Sequence, residues 1–145
     1  MATINNCEIP ENLYYWPEKH VWARPEADGT VTVGITYVAQ SMAKRFISCT
    51  IKKTTRPLEK GKSVATIESG KWVGPVPMPL SGEIAASNEA VTTQPDLINA
   101  EPYGGGWIAR IKPTNWAADR AALVTGAEGV EAYRKFLEQE GIRCD

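Results

Sequence analysis

Strict alternation marks Thr30-Val31-Thr32-Val33-Gly34-Ile35 as the clearest β segment of the chain, since Val31, Val33 and Ile35 fall on one face. His20-Val21-Trp22-Ala23-Arg24 alternates in the same way, and Ala27-Asp28-Gly29 between the two runs predicts a hairpin turn. Thr36 then stands as a helix cap. Val38, Ala39, Met42 and Phe46 recur at three- and four-residue spacing, which predicts a short amphipathic helix over residues 37–45. Period two returns in Ile47-Ser48-Cys49-Thr50-Ile51, with Cys49 expected on one buried face with Ile47 and Ile51. Residues 1–19, broken by Pro10 and Pro17, carry no regular signal and read as irregular.

After Ser63-Val64-Ala65-Thr66-Ile67 the strand pattern is interrupted by Ser69-Gly70 and a single Lys71, and it resumes at Trp72-Val73. Pro75, Pro77 and Pro79 then suit an exposed edge. The reading is a hairpin whose tip displays Lys71, with Gly70 supplying positive φ at the bend. Leu58-Glu59-Lys60-Gly61-Lys62-Ser63-Val64-Ala65 and Leu80-Ser81-Gly82-Glu83-Ile84-Ala85 form a short pseudo-repeat on either side of that lysine. Thr93-Gln94-Pro95-Asp96-Leu97-Ile98 predicts a helical turn, and Gly104-Gly105-Gly106 leads into a strand at residues 107–111 that Pro113 ends. From Asn115 helix formers dominate, Gly126 interrupts them, and Val130, Tyr133 and Leu137 share a face until Gly141. The expected architecture is one domain over residues 1–145: an irregular segment 1–19, a β core 20–113 and a helical segment 115–141. It is a mainly β fold with peripheral helices.

Composition narrows the function. With 145 residues, 43% apolar content and a formal net charge of −1, the chain reads as an ordinary globular domain with no charge excess that would call for nucleic acid or a membrane. The first residues lack a basic start and an apolar run, so a cytoplasmic location is expected. The three cysteines lack zinc spacing and default to free thiols; Cys49 is expected buried and inert, while Cys7 and Cys144, near the termini, are better placed for accessibility. Nothing in the pattern shows that they pair. His20 is the single histidine, there is no Gly-x-Ser-x-Gly turn, and the triple glycine lacks a following Lys-Ser or Lys-Thr, so neither a catalytic triad, a phosphate loop nor a metal set is indicated. The expectation is a protein without catalytic residues of its own.

Several motifs in one order resemble the lipoyl-carrying H protein of the glycine cleavage system. They are His20-Val21-Trp22, Asp28–Thr36 in full, Ala39-Gln40, Gly61, Ile67-Glu68-Ser69, Lys71, Pro79–Ile84, Asn88-Glu89 and Pro102-Tyr103-Gly104-x-Gly106-Trp107-Ile108. The resemblance implies a barrel-sandwich hybrid of the lipoyl/biotinyl type with a C-terminal helix. It also implies lipoic acid in amide linkage on Lys71, with Glu68, Ser69, Gly70 and Trp72 presenting it to a lipoate-protein ligase or other lipoyl-attachment enzyme. A primary amine on a flexible four-carbon stem suits such a tether. Biotin is a weaker alternative, because Gly70 and Trp72 stand where methionines flank a biotinyl lysine. An unmodified adaptor is disfavoured by the intact Glu68-Ser69-x-Lys71.

The departures from the family pattern concern what is carried. Where H proteins read Ala-x-Ser-Asp-x-Tyr-x-Pro after the lysine, this chain has Trp72-Val73-Gly74-Pro75-Val76-Pro77-Met78-Pro79. Residues 44–62 hold Lys44, Arg45, Lys52, Lys53, Arg56, Lys60 and Lys62 against Glu59 alone, which is expected either to solubilise or to dock an acidic partner. The sequence looks most like the divergent lipoate-binding proteins of sulfur oxidation, which serve a heterodisulfide-reductase-like complex. The alternative partners are glycine decarboxylase, aminomethyltransferase and dihydrolipoamide dehydrogenase, with the aminomethyl group as cargo.

Overall fold

The computed structural model describes residues 2–145. The N-terminal segment is more ordered than its sequence predicts: β1 (Ala2–Ile4) and β2 (Cys7–Ile9) pair with each other, and β3 (Tyr14–Trp16) joins the main sheet before a 3-10 turn at Pro17–Lys19. Three-residue strands are too short for periodicity to show, and neighbours found only in space complete them. His20 ends the 3-10 turn with left-handed backbone, φ 57°, so it precedes the strand β4 (Val21–Pro25) rather than opening it. β5 (Val31–Ile35) is buried along its whole length. Gly29, φ 89°, closes the β4–β5 hairpin. Thr36 accepts the Ala39 N–H and so caps α1 (Tyr37–Ala43), which ends two residues earlier than the spacing predicts.

β6 (Phe46–Ile51), β7 (Ser63–Ser69) and β8 (Val73–Pro77) form a three-stranded sheet. A register shift between Phe46 and Ser48 turns Ile47 outward, 57% exposed, so Cys49 shares its buried face with Ile51 but not with Ile47. After β9 (Gly82–Ser87), α2 (Glu89–Thr93) and α3 (Leu97–Ala100) flank Pro95. β10 (Ala109–Pro113) begins two residues later than predicted. The C-terminal region is α4 (Trp116–Arg120), an unpredicted β11 (Val124–Thr125) paired with β3, and α5 (Gly126–Glu140). The larger sheet runs β11-β3-β4-β5-β10-β9.

The two sheets share one core: Val33, Ile35 and Ile111 of the larger pack with Cys49, Ile67 and Val76 of the smaller. The fold is mainly β with a C-terminal helix, as the sequence predicts. On the other face of the larger sheet, Tyr15 and Trp22 meet Tyr133 and Leu137 of α5 in a second cluster. That cluster includes Cys7 and Cys144, which are joined in a disulfide across 137 residues with Cα atoms 5.1 Å apart. Both are buried, so the expectation of accessible free thiols at these positions is wrong. Only the fold brings the two ends of the chain together. Cys49 is the free cysteine, buried as expected, and burial pushes its thiol up to about 11.

Candidate functional site

The hairpin that carries Lys71 is zipped well below its strands. Leu58 and Gly82 exchange both backbone hydrogen bonds, Gly61 N–H donates to Met78 O, and Met78 N–H donates to Lys62 O. The two halves of the pseudo-repeat therefore lie side by side and form the base of one continuous arm from residue 58 to residue 82. A Cβ on Gly82 would lie 2.3 Å from Lys112 O, so only glycine lets β9 approach β10 at this base.

At the tip, Ser69 N–H donates to Trp72 O at 2.7 Å, and Ser69 Oγ accepts the Lys71 N–H at 3.3 Å. Ser69 is itself buried while Glu68, Gly70, Lys71 and Trp72 are exposed. Gly70 is not among the residues of positive φ and nothing approaches the position its Cβ would take. The turn is thus closed by Ser69, not by a left-handed glycine, which corrects the sequence expectation for Gly70. Trp72 folds back over Gly74: a Cβ there would stand 2.3 Å from its ring. Lys71 forms no ion pair among the described residues.

Lys71 and Trp72 border a cleft of about 750 Å3. Its walls are apolar where Ile35, Met42, Phe46, Ile67, Pro75 and Pro77 face it. Lys19, Lys44 and Arg143 supply positive charge and Glu18 and Asp145 negative charge. The C-terminal residues form one side of the cleft. They are held by the Cys7–Cys144 disulfide, by Cys144 N–H donating to Asn5 O, by Asp145 N–H donating to Ser41 Oγ and by an ion pair between Asp145 and Lys44. His20 lines the same cleft; burial lowers its imidazole to about 4. Sequence reasoning passed over Arg143 and Asp145 and weighed His20 only for a triad and as part of a motif, because no local pattern links either terminus to the hairpin tip.

A family model described as Glycine cleavage H-protein matches residues 13–140. The chain belongs to this family. It is 47% identical over 138 residues to Glycine cleavage system H protein 2 of Aquifex aeolicus, an alignment that spans 95% of this chain and 86% of that one. It is 45% identical over 148 residues to H protein 5 of the same bacterium, spanning 99% of each. The crystal structure of a glycine cleavage system H protein from Mycobacterium marinum superposes with a TM-score of 0.71 at 29% identity, covering 92% of this chain and 100% of that one. Members of the family carry lipoic acid covalently on a lysine. An exposed, unpaired lysine at a hairpin tip, beside a cleft with partly apolar walls, fits that group.

Part of the basic stretch is already engaged within the protein. Lys44 pairs with Asp145 and Arg45 with Asp96, while Lys60 Nζ lies 4.8 Å from the ring centre of Trp16. Lys52, Lys53 and Arg56 are exposed without ion pairs among the described residues, but they follow β6 whereas Lys44 and Arg45 precede it. The six residues of β6 separate the two groups by roughly 17–20 Å. No group of His, Cys, Asp or Glu among the described residues is placed to hold a metal, and no helix is long and apolar enough to cross a membrane.

Proposed function

We propose that the chain is a lipoyl carrier whose lipoic acid is attached at Lys71, with Glu68 and Ser69 presenting the tip to the attaching enzyme. The observation that carries this is a free primary amine on a turn that Ser69 closes, at the end of the zipped hairpin and at the mouth of the cleft. When bound, lipoate supplies a dithiolane that opens to two thiols and holds a group through sulfur. The protein's part is mechanical: the hairpin fixes the origin of the arm, and the apolar walls offer a surface against which the arm can lie. In this reading no side chain of the protein is a catalyst.

For the cargo, the family and the relatives support the aminomethyl group of glycine cleavage, handed among glycine decarboxylase, aminomethyltransferase and dihydrolipoamide dehydrogenase. One observation favours a second reading, a sulfur-bound cargo for a heterodisulfide-reductase-like complex. A cationic amine in the cleft would need acceptors, yet beyond Lys71 the walls present Trp72, Pro75 and Pro77, and Asp145 is already paired with Lys44, leaving Glu18 as the one carboxylate without an ion pair among the described lining residues. Glu18 alone would have to balance an ammonium held there, and a charge short of partners away from water is costly.

Intact mass and peptide mapping test the attachment: a lipoyl adduct on the Lys71 peptide is expected. Lys71→Arg should keep the fold and abolish the adduct, since arginine has no acylatable primary amine. A biotinyl adduct, no adduct, or a lipoyl group persisting in Lys71→Arg would each overturn the assignment. Loading by glycine decarboxylase decides the cargo. Loading as efficient as that of an ordinary H protein would remove the second reading.

A further inference from the structure

The lipoyl reading leaves the single histidine without a role, although it stands at the cleft. His20 is held in a left-handed conformation, φ 57°, with its N–H donating to Pro17 O and its carbonyl accepting the Thr36 N–H. Residues other than glycine occupy this region at a cost, and it places the imidazole against α5. There Nδ1 lies 3.1 Å from Tyr133 Oη, which lies 2.9 Å from Thr36 Oγ, and Tyr133 and Thr36 are fully buried.

Hydrogen-bond counting sets the direction of this chain. Thr36 Oγ already accepts the Ala39 N–H, so its single hydrogen needs an acceptor, and Tyr133 Oη is the one within reach among the described residues. On that count we assign the Tyr133 hydrogen to His20 Nδ1. The neutral imidazole therefore carries its proton on Nε2. Nε2 has no partner in the protein, yet no buried side-chain nitrogen or oxygen lacks a partner among the described residues, so Nε2 reaches open space. His20 borders the cleft that Lys71 and Trp72 also border.

We propose that the His20 Nε2–H is a fixed hydrogen-bond donor to the thiolate of the reduced lipoyl arm. The proposal rests on attachment at Lys71. The thiol proton leaves to water, no electrons move, and the imidazole stays neutral throughout, so its role is to stabilise the sulfur anion and fix where it lies. The charged and titratable groups around it are Glu18 and Lys19 of the 3-10 turn, Lys44 after α1, Arg143 and Asp145 of the C-terminal residues, and Tyr133 of α5. Donation to the charged form lowers a group's pKa, and a thiol alkylates through its thiolate.

The test uses the full chain with the lipoyl group on Lys71 verified by mass, then reduced under conditions that leave the Cys7–Cys144 disulfide intact by mass. Iodoacetamide labelling of the Lys71 peptide is followed against pH, so the other cysteines do not contribute. In the wild type the profile is expected to lie about half to one pH unit below that of free dihydrolipoamide. His20→Asn tolerates the left-handed backbone but is too short to reach, and should return the profile to the free value. Tyr133→Phe keeps the ring packing but frees the imidazole to hold its proton on either nitrogen, and should fall between. Circular dichroism verifies that each variant is folded. Identical profiles in wild type and folded His20→Asn would overturn this proposal alone. Absence of lipoyl on Lys71 would overturn the carrier reading, and this one with it.

Discussion

Two glycines near the tip show how differently the same residue type is used. Gly70 has open space and no positive φ, so Gly70→Val should leave both the melting temperature and the rate of lipoylation unchanged. Gly74 lies under the Trp72 ring, and Gly74→Val should drive that ring away from β8. A fluorotryptophan resonance assigned to Trp72 should shift in Gly74→Val and stay in place in Gly70→Val. His20 supplies a pH dependence. Its folded value of about 4 lies below the unfolded 6.5, so between these limits the unfolded chain binds more protons. Stability should therefore rise with pH through that window and level off above it, with a contribution of up to about 3 kcal/mol. Chemical denaturation from pH 4 to pH 8 reads this, and His20→Asn should flatten the rise.

At the scale of elements, the hairpin from residue 58 to residue 82 is what makes Lys71 a defined point in space. Its strands were legible, since Val64, Ile67 and the prolines carry the pattern. The closure of its tip was not, because a serine that accepts a backbone N–H looks in sequence like any other polar turn residue. Ser69→Ala removes that acceptor, and should cost about 1 kcal/mol of stability while increasing hydrogen exchange at the Lys71 amide. An unchanged exchange rate would show that the ladder below is sufficient. The short strands β1, β2, β3 and β11 were illegible for a different reason: each is three residues or fewer, so partners found in the fold define them.

For the molecule as a whole, the Cys7–Cys144 link closes nearly the entire chain into a ring. Loop-closure entropy for a loop of that size stabilises by about 5 kcal/mol. Cys7→Ser/Cys144→Ser should lower the denaturation midpoint accordingly, and should free the C-terminal residues from the cleft, read as new proteolysis at Arg143. A midpoint unchanged by the double substitution would mean that the packing of α5 and the hydrogen bonds of the last four residues are enough. The sequence by itself determined the mainly β class, the β4–β5 hairpin, the amphipathic α5 and the singular position of Lys71. Each of these is written in contiguous residues, as a period of two or 3.6 or as one turn motif. Tertiary structure alone decided the disulfide, the cleft and the meeting of His20, Tyr133 and Thr36. These join residues up to 137 apart, and their chemistry comes from distance, burial and the counting of donors and acceptors, none of which a linear pattern records.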